Sequence, residues 1–303
     1  MALPAHASIG EKVWHYCYLA ICGLIFLFLI APILVIMPLS FNIEPYFTFT
    51  YKMITFDPEG YSLRWYDKIL TFGMTAPEVL RDTTWWTDVW HNATWFHALK
   101  NSVIIGAAST LFATVLGTLA ALGLSRPEMP YRRAIMALLI SPMIVPLIIT
   151  ATGLFFFYSG AGLAHTFPGI IMAHAMLGIP FVIITVTATL TGFDHSLSRA
   201  AASLGAPPVT VFRQVILPLI LPGVISGALF AFVTSFDEVV VVLFVASYDQ
   251  QTIPLQMWNG IREQISPTIL AVATILVIVS IGLLTVLELL RRRNERLRGL
   301  SPN

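Results

Sequence analysis

Apolar residues along this 303-residue chain gather into six long stretches, separated by short polar breaks and by one long one. The stretches run approximately Trp14 to Met37, Ala98 to Leu124, Ala134 to Tyr158, Phe167 to Leu190, Leu219 to Val245 and Pro267 to Leu290. About 20 mostly apolar residues in a helix cross the hydrocarbon core of a bilayer, so each stretch reads as a transmembrane helix. The first ends in Ile36-Met37-Pro38-Leu39-Ser40, without a small-residue cleavage site, and is expected to stay as an anchor. The expected fold is an all-α membrane protein. It has an N-terminal segment at 1–13, a first helix at 14–37, an external loop at 38–97, a five-helix core at 98–290 and a basic tail at 291–303.

Basic residues close to helix ends stay on the cytoplasmic side. With the N-terminus inside, Lys12, Arg126, Arg132, Arg133, Arg199, Arg213, Arg291, Arg292, Arg293, Arg296 and Arg298 all fall in the cytoplasm, 11 of the 17 basic residues. Arg262 falls outside in a short loop, and the others belong to the long loop or its edge. Both termini are therefore expected in the cytoplasm.

Composition agrees with the pattern. The chain is 57% hydrophobic and 11% charged, with a mean hydropathy of +0.81, whereas soluble domains carry roughly 25% charged residues. A net charge of +1 gives no reason to expect a nucleic-acid partner. Cys17 and Cys22 read as buried small hydrophobes. No phosphate-cradling glycine loop, zinc-ligand spacing or nucleophile elbow occurs, so the chain has no visible means of hydrolysing ATP and reads as no enzyme.

The external loop holds seven carboxylates and five tryptophans and is expected to fold at the membrane surface. Phe47, Phe49 and Tyr51 alternate with polar residues in a strand period, and Asp57-Pro58-Glu59-Gly60 reads as a turn. Trp86 and Trp90 share one face if a short helix forms there. The tryptophans read as an interfacial belt or as a docking surface for a soluble partner.

Between the fourth and fifth stretches lies Leu197-Ser198-Arg199-Ala200-Ala201-Ala202-Ser203-Leu204-Gly205-Ala206-Pro207-Pro208-Val209-Thr210-Val211-Phe212-Arg213-Gln214-Val215-Ile216-Leu217-Pro218. Asp194 and Ser196 offer a helix cap, Gly205 a left-handed stop, and Pro207 or Pro208 the start of a second short helix. Leu204, Val211, Phe212 and Val215 would give this hairpin an apolar face, which outside the membrane wants a protein groove.

This segment resembles the cytoplasmic signature of the permease subunits of type I ABC importers: Glu-Ala-Ala, three residues, Gly, nine residues, Ile, one residue, Leu-Pro. Ala200, Ala201, Gly205, Leu217 and Pro218 match, Val215 replaces the isoleucine, and Arg199 stands where that family has glutamate. Within the family, the chain resembles the polyamine branch, the spermidine and putrescine permeases. Gly60-Tyr61-Ser62-Leu63-Arg64-Trp65-Tyr66, Asn101-Ser102, Ser235-Phe236-Asp237-Glu238, Thr252-Ile253-Pro254-Leu255, Met257-Trp258 and Ser266-Pro267 carry that likeness. The external loop is longer than in that branch, chiefly between Phe72 and Thr94. The resemblance implies a bacterial inner-membrane permease whose coupling helix at 197–213 meets two ATPase subunits, which bind the ATP. It also implies a second permease subunit, a periplasmic solute-binding protein and no cofactor in this chain. The solute would be a polyamine or another solute of the wider group, such as an opine, 4-aminobutyrate or ferric iron.

Carboxylates within an apolar stretch cost about 2.5 to 3.5 kcal/mol each on insertion scales, so Asp237 and Glu238 need an explanation. They line the pathway with Thr234, Ser235 and Trp258, or pack against a partner helix, or snorkel to the interface. Trp258, Tyr248 and Phe236 stack on a cationic solute or anchor helix ends. His174 reads as a satisfied core histidine or, with the two carboxylates, as the proton site of an ion-coupled transporter. Pro142, Pro146, Pro180 and Pro222 are expected to kink the third, fourth and fifth helices.

Overall fold

The computed structural model describes residues 8–297, except 79, 127, 192 and 264, and excludes the side chains of 195, 283, 284 and 286–297. The helices are α1 Ile9–Leu39, α2 Tyr51–Ile54, α3 Arg64–Thr71, α4 Thr83–Asn92, α5 Thr94–Leu124, α6 Arg132–Ile140 and α7 Leu147–Ala161, followed by α8 Phe167–Thr191, α9 His195–Ser203 and α10 Pro208–Val211. The chain continues with α11 Leu217–Phe236, α12 Val240–Val245, α13 Ile253–Glu263 and α14 Pro267–Leu297. Among the described residues no β-strand forms; an isolated bridge joins Asn42 and Tyr61.

Among the described residues, four continuous helices are long and apolar enough to cross a membrane: α1, α5, α8 and the rod Pro208–Phe236. The third expected span is broken. Arg132–Met143 and Leu147–Ala161 meet at 97°, where Pro142 and Pro146 withhold backbone N–H groups. Pro180 and Pro222 each lie inside a helix that continues past them. Of the sixth span, the apolar portion described is Pro267–Gly282. The N-terminal and C-terminal boundaries also move: α1 already starts at Ile9 behind a Ser8–Glu11 capping box, and α14 runs on to Leu297. The basic side chains Arg291, Arg292, Arg293 and Arg296, and all of Arg298, lie outside the described residues.

The packing divides the chain into two units, one of them Met74–Asn259. Its centre is the trio α5, α8 and α11. Small residues let the backbones approach, as membrane helices require when lipid is as apolar as leucine. A β-carbon on Gly117 would lie 2.7 Å from Val182 Cβ, and one on Gly227 would lie 2.5 Å from Thr185 Oγ1 and 2.8 Å from Val182 Cα. Gly223, one turn earlier on the same face, abuts Thr189. A second apolar cluster joins Ile105, Tyr158, Ile170 and Leu177 to Val241, Val242 and Val245 of α12.

The other unit holds α1, most of the external loop and α14. Its loop is organised around Trp65, which is buried and donates its indole N–H to Asn42 O at 2.6 Å. Asn42 Nδ2 in turn donates to the carbonyls of Tyr46 and Thr48 at 3.0 and 2.8 Å. That wrapping uses the backbone of the segment expected to be a strand; Thr50 then caps α2 instead. The Asp57–Gly60 turn forms with the Asp57 carboxylate accepting from Glu59 N–H. Trp86 and Trp90 are exposed on α4, whereas Trp65, Trp85 and Trp95 are buried, so three of the five tryptophans are core rather than belt. Cys17 and Cys22 correct another expectation: they sit on α1, exposed and half-buried, and are free thiols.

Candidate functional site

Two features of the 74–259 unit bring together the residues singled out by sequence. The first is the hairpin after α8. Asp194 accepts from Ser196 N–H at 2.8 Å and opens α9; Leu204 ends it, and Gly205 turns the chain at φ +85°, a region costly for any side chain. Pro208 starts α10, where its missing N–H loses nothing.

From there the structure departs from the expected second short helix. α10 passes through a π turn at Phe212–Ile216 directly into α11, so Pro208–Phe236 is one rod. The hairpin is therefore continuous with a span, with no loose chain between them. The exposed apolar face also differs. Leu204 is 89% exposed, and Leu197 and Val209 are exposed beside it. Val211 is buried, and Phe212, Val215 and Leu217 are half-buried at the root of the rod. Arg199, Ala200, Gly205 and Pro218 are exposed, and Ala201 is half-buried.

The second feature is a break in the fifth span. α11 ends at Phe236, Asp237 leaves the helix, and α12 begins at Val240, although the sequence from Leu219 to Val245 is apolar enough to read as one helix. Glu238 accounts for the restart. It is 7% exposed, and its Oε1 accepts from Val241 N–H at 2.8 Å, satisfying a donor that the first turn of α12 would leave orphaned. Asp237 is exposed, Thr234 half-buried and Trp258 exposed on α13. The neighbouring carboxylates thus separate, one capping a helix and the other facing outward. Among the described residues neither has an ion-pair partner.

Ser235 turns inward. Its Oγ accepts from Ser109 Oγ at 2.9 Å and lies 2.8 Å from His174 Nδ1, linking α11, α5 and α8. His174 is 1% exposed, and its Nε2 has no partner among the described residues, so the ring is satisfied on one side only. This three-helix link escaped sequence reasoning because Ser109 lies 126 residues from Ser235. Asn101 holds a second link of this kind: its Nδ2 donates to Asp249 O and Gln251 O at 2.8 and 3.0 Å. Ser102 Oγ accepts from Ile253 N–H at 2.8 Å. The Asn-Ser pair clamps the turn that follows α12.

Residues 113–298 match the family described as the binding-protein-dependent transport system inner membrane component. The chain belongs to that family. This inner membrane component is similar to the spermidine/putrescine transport system permease protein PotC of Haemophilus influenzae. The two are 30% identical over 89% of this chain and 95% of that protein. It is also similar to the putrescine transport system permease protein PotI of Escherichia coli K12, at 28% identity over 91% and 92%. A shorter likeness, 34% over 48% of this chain and 53% of the relative, is to the trehalose transport system permease protein SugB of Mycobacterium tuberculosis. In fold it matches a chain of a bacterial ABC transporter involved in the import of the acidic polysaccharide alginate. That match has a TM-score of 0.69 and 14% identity, covering 94% of this chain and 99% of that one. The protein is thus a permease subunit of an importer that works with a binding protein and an ATPase.

Proposed function

We propose that this permease subunit carries a small cationic nitrogen compound of the polyamine class, with ATP hydrolysed by partner subunits docked on the α9 hairpin. The observation that favours a cation is the outward-facing Asp237 at the α11–α12 break, beside the capping Glu238. A broken span exposes backbone carbonyls where a solute can reach them, and a carboxylate there complements an ammonium group. The names of the relatives PotC and PotI agree with this reading, while the trehalose relative shows that likeness alone does not settle the solute.

In this reading an external binding protein delivers the solute to the mouth formed by this subunit and a second, different permease. Closure of two ATPases on ATP presses α9, and the rod Pro208–Phe236 carries the motion to the break, switching access from one side to the other. Arg199, in place of the family's glutamate, points to a heteromeric pair in which the other permease supplies its own version of the contact. Both termini lie in the cytoplasm, and the pathway is lined by Thr234, Asp237 and Trp258.

The test is uptake of labelled putrescine, spermidine and 4-aminobutyrate into proteoliposomes holding the complete transporter. The proposal expects ATP-dependent uptake of a polyamine that survives collapse of the proton gradient. Uptake of 4-aminobutyrate alone would replace the solute class, and loss of uptake with the proton gradient would point to ion coupling.

A further inference from the structure

A cavity of about 500 Å³ opens where α5 and α8 end and α6 begins, walled in part by Arg132, Arg133, Thr187 and Thr191. These three helix ends lie at one face of the membrane, since α5 and α8 run the same way and α6 starts back. The volume falls in the range that holds small ligands, and no carboxylate lines it.

Its charge is unbalanced. Arg132 and Arg133 are exposed and have no ion-pair partner among the described residues. They occupy the first turn of α6, whose N-cap, Tyr131, offers no side-chain cap. Cations at a helix N-terminus add to the positive end of its dipole rather than offset it, so an anion placed there would gain from both. The ends of α5 and α8 contribute about half a negative charge each, and the α6 N-terminus about half a positive one. Two full guanidinium charges outweigh that remainder, so the cavity stays cationic. Thr187 also lines the wall, with its hydroxyl turned into the protein rather than toward the cavity. Thr191 donates to Thr187 O at 3.0 Å.

We infer that this cavity binds a phosphate-bearing anion, with the headgroup of an anionic phospholipid as its source. The planar guanidinium fork is the side chain whose donors match phosphate oxygens in pairs, and two of them stand here without a carboxylate. Half-buried Met136 and Phe193 continue the wall, offering an apolar surface to the first carbons of an acyl chain, which a free ion would leave unused. A cationic cavity is also a poor resting place for a polyamine, so this site is separate from the proposed pathway. Bound lipid would tie α6 to the ends of α5 and α8, beside the start of the α9 hairpin.

The experiment uses the full-length chain purified in neutral detergent, titrated with dioleoyl phosphatidylglycerol, dioleoyl phosphatidylcholine or inorganic phosphate, with bound molecules counted by native mass spectrometry. Phosphatidylglycerol should be retained and phosphatidylcholine should not. Each basic residue near an anionic surface contributes about fivefold, so Arg132→Gln with Arg133→Gln should weaken retention about 30-fold. Arg64→Gln with Arg262→Gln, which removes equal charge from residues outside the cavity, should leave it unchanged. Thr187→Leu, which keeps both arginines and fills the wall, should also reduce retention and serves if the arginine variant does not purify. Millimolar phosphate that displaces the lipid supports the shared phosphate chemistry; phosphate that binds without lipid binding would overturn the lipid source. Equal retention by the wild type and the Arg132→Gln/Arg133→Gln variant would overturn the site, as would loss with the control pair alone.

Discussion

Gly227→Ala places a methyl group where α11 meets α8. The new carbon would stand 2.5 Å from Thr185 Oγ1 and 2.8 Å from Val182 Cα, against roughly 3.5 to 4.0 Å for relaxed carbon contacts. Thr185 can swing aside by giving up its hydrogen bonds to Phe181 O and Val182 O, at 3.0 and 3.2 Å. Val182 Cα is backbone and cannot, so the two helices must part by several tenths of an ångström. Overpacking of this kind costs about 1 to 3 kcal/mol, while alanine in a helix returns up to about 1 kcal/mol over glycine. Because the clash is with backbone, the cost falls in the upper part of that range, and the net expectation is a loss of about 1 to 2 kcal/mol. Gly153, on α7, has nothing within 4 Å of its β-carbon position, so Gly153→Ala should keep the propensity gain alone. The assay is the midpoint temperature at which the full-length chain in detergent loses its monodisperse peak. Gly227→Ala should lower the midpoint and Gly153→Ala should leave it level or raise it; adding Thr185→Ala to Gly227→Ala should recover only part. If Gly227→Ala melts with or above the wild type, the close approach of α8 and α11 is wrong.

The two carboxylates at the break should respond differently. Asp237→Asn should reduce polyamine uptake with the melting midpoint unchanged, while Glu238→Ala should cost about 1 kcal/mol of stability through the lost cap and Glu238→Gln, which keeps an acceptor, much less; equal stability of both Glu238 variants would remove the capping role. Asn101→Ala should destabilise by about 2 kcal/mol, because Asp249 O and Gln251 O lose their donor, and hydrogen exchange should rise in the 248–253 turn but not in α8. Asp88, in the external loop, is held below the ordinary carboxylate range first by the hydrogen bond from Asn92, then by the backbone N–H groups of Ala76 and Thr75. Its stabilisation is therefore complete above its unfolded pKa and lost as pH falls through the folded one. Tryptophan fluorescence of the loop should report loosening on the acid side of about pH 4, and Asp88→Asn should flatten that acid limb.

Average hydropathy made the spans legible, because the lipid imposes a length on each of them. It could not show the break at Asp237, since Val239 to Val245 continues the apolar run and only the Glu238 cap marks a new helix. Nor could it separate lipid-facing from packed residues: Leu111 and Ala113 both count as apolar, yet one is exposed and the other buried. The strand period at Phe47 to Lys52 misled because Asn42, several residues away, claims the carbonyls that a partner strand would need. The stops of the hairpin were readable since Asp194, Gly205 and Pro208 act through their own backbone geometry. Its exposed face was readable only at Leu204, because Val211, Phe212 and Val215 lie where the hairpin joins the rod and are wholly or partly covered there. The Ser109–Ser235–His174 link lay beyond sequence for the simplest reason, that three distant polar residues meet only after three helices pack.

The proposed transport cycle requires the α9 hairpin to be the point where the ATPase grips this permease. Leu204→Cys, in a chain otherwise free of cysteine, should be labelled by a membrane-impermeant maleimide only when the cytoplasmic face is open. In the assembled transporter it should crosslink to the ATPase subunit and be shielded from label. Labelling from the periplasmic side of intact spheroplasts, or full labelling in the assembled complex with no crosslink, would contradict it.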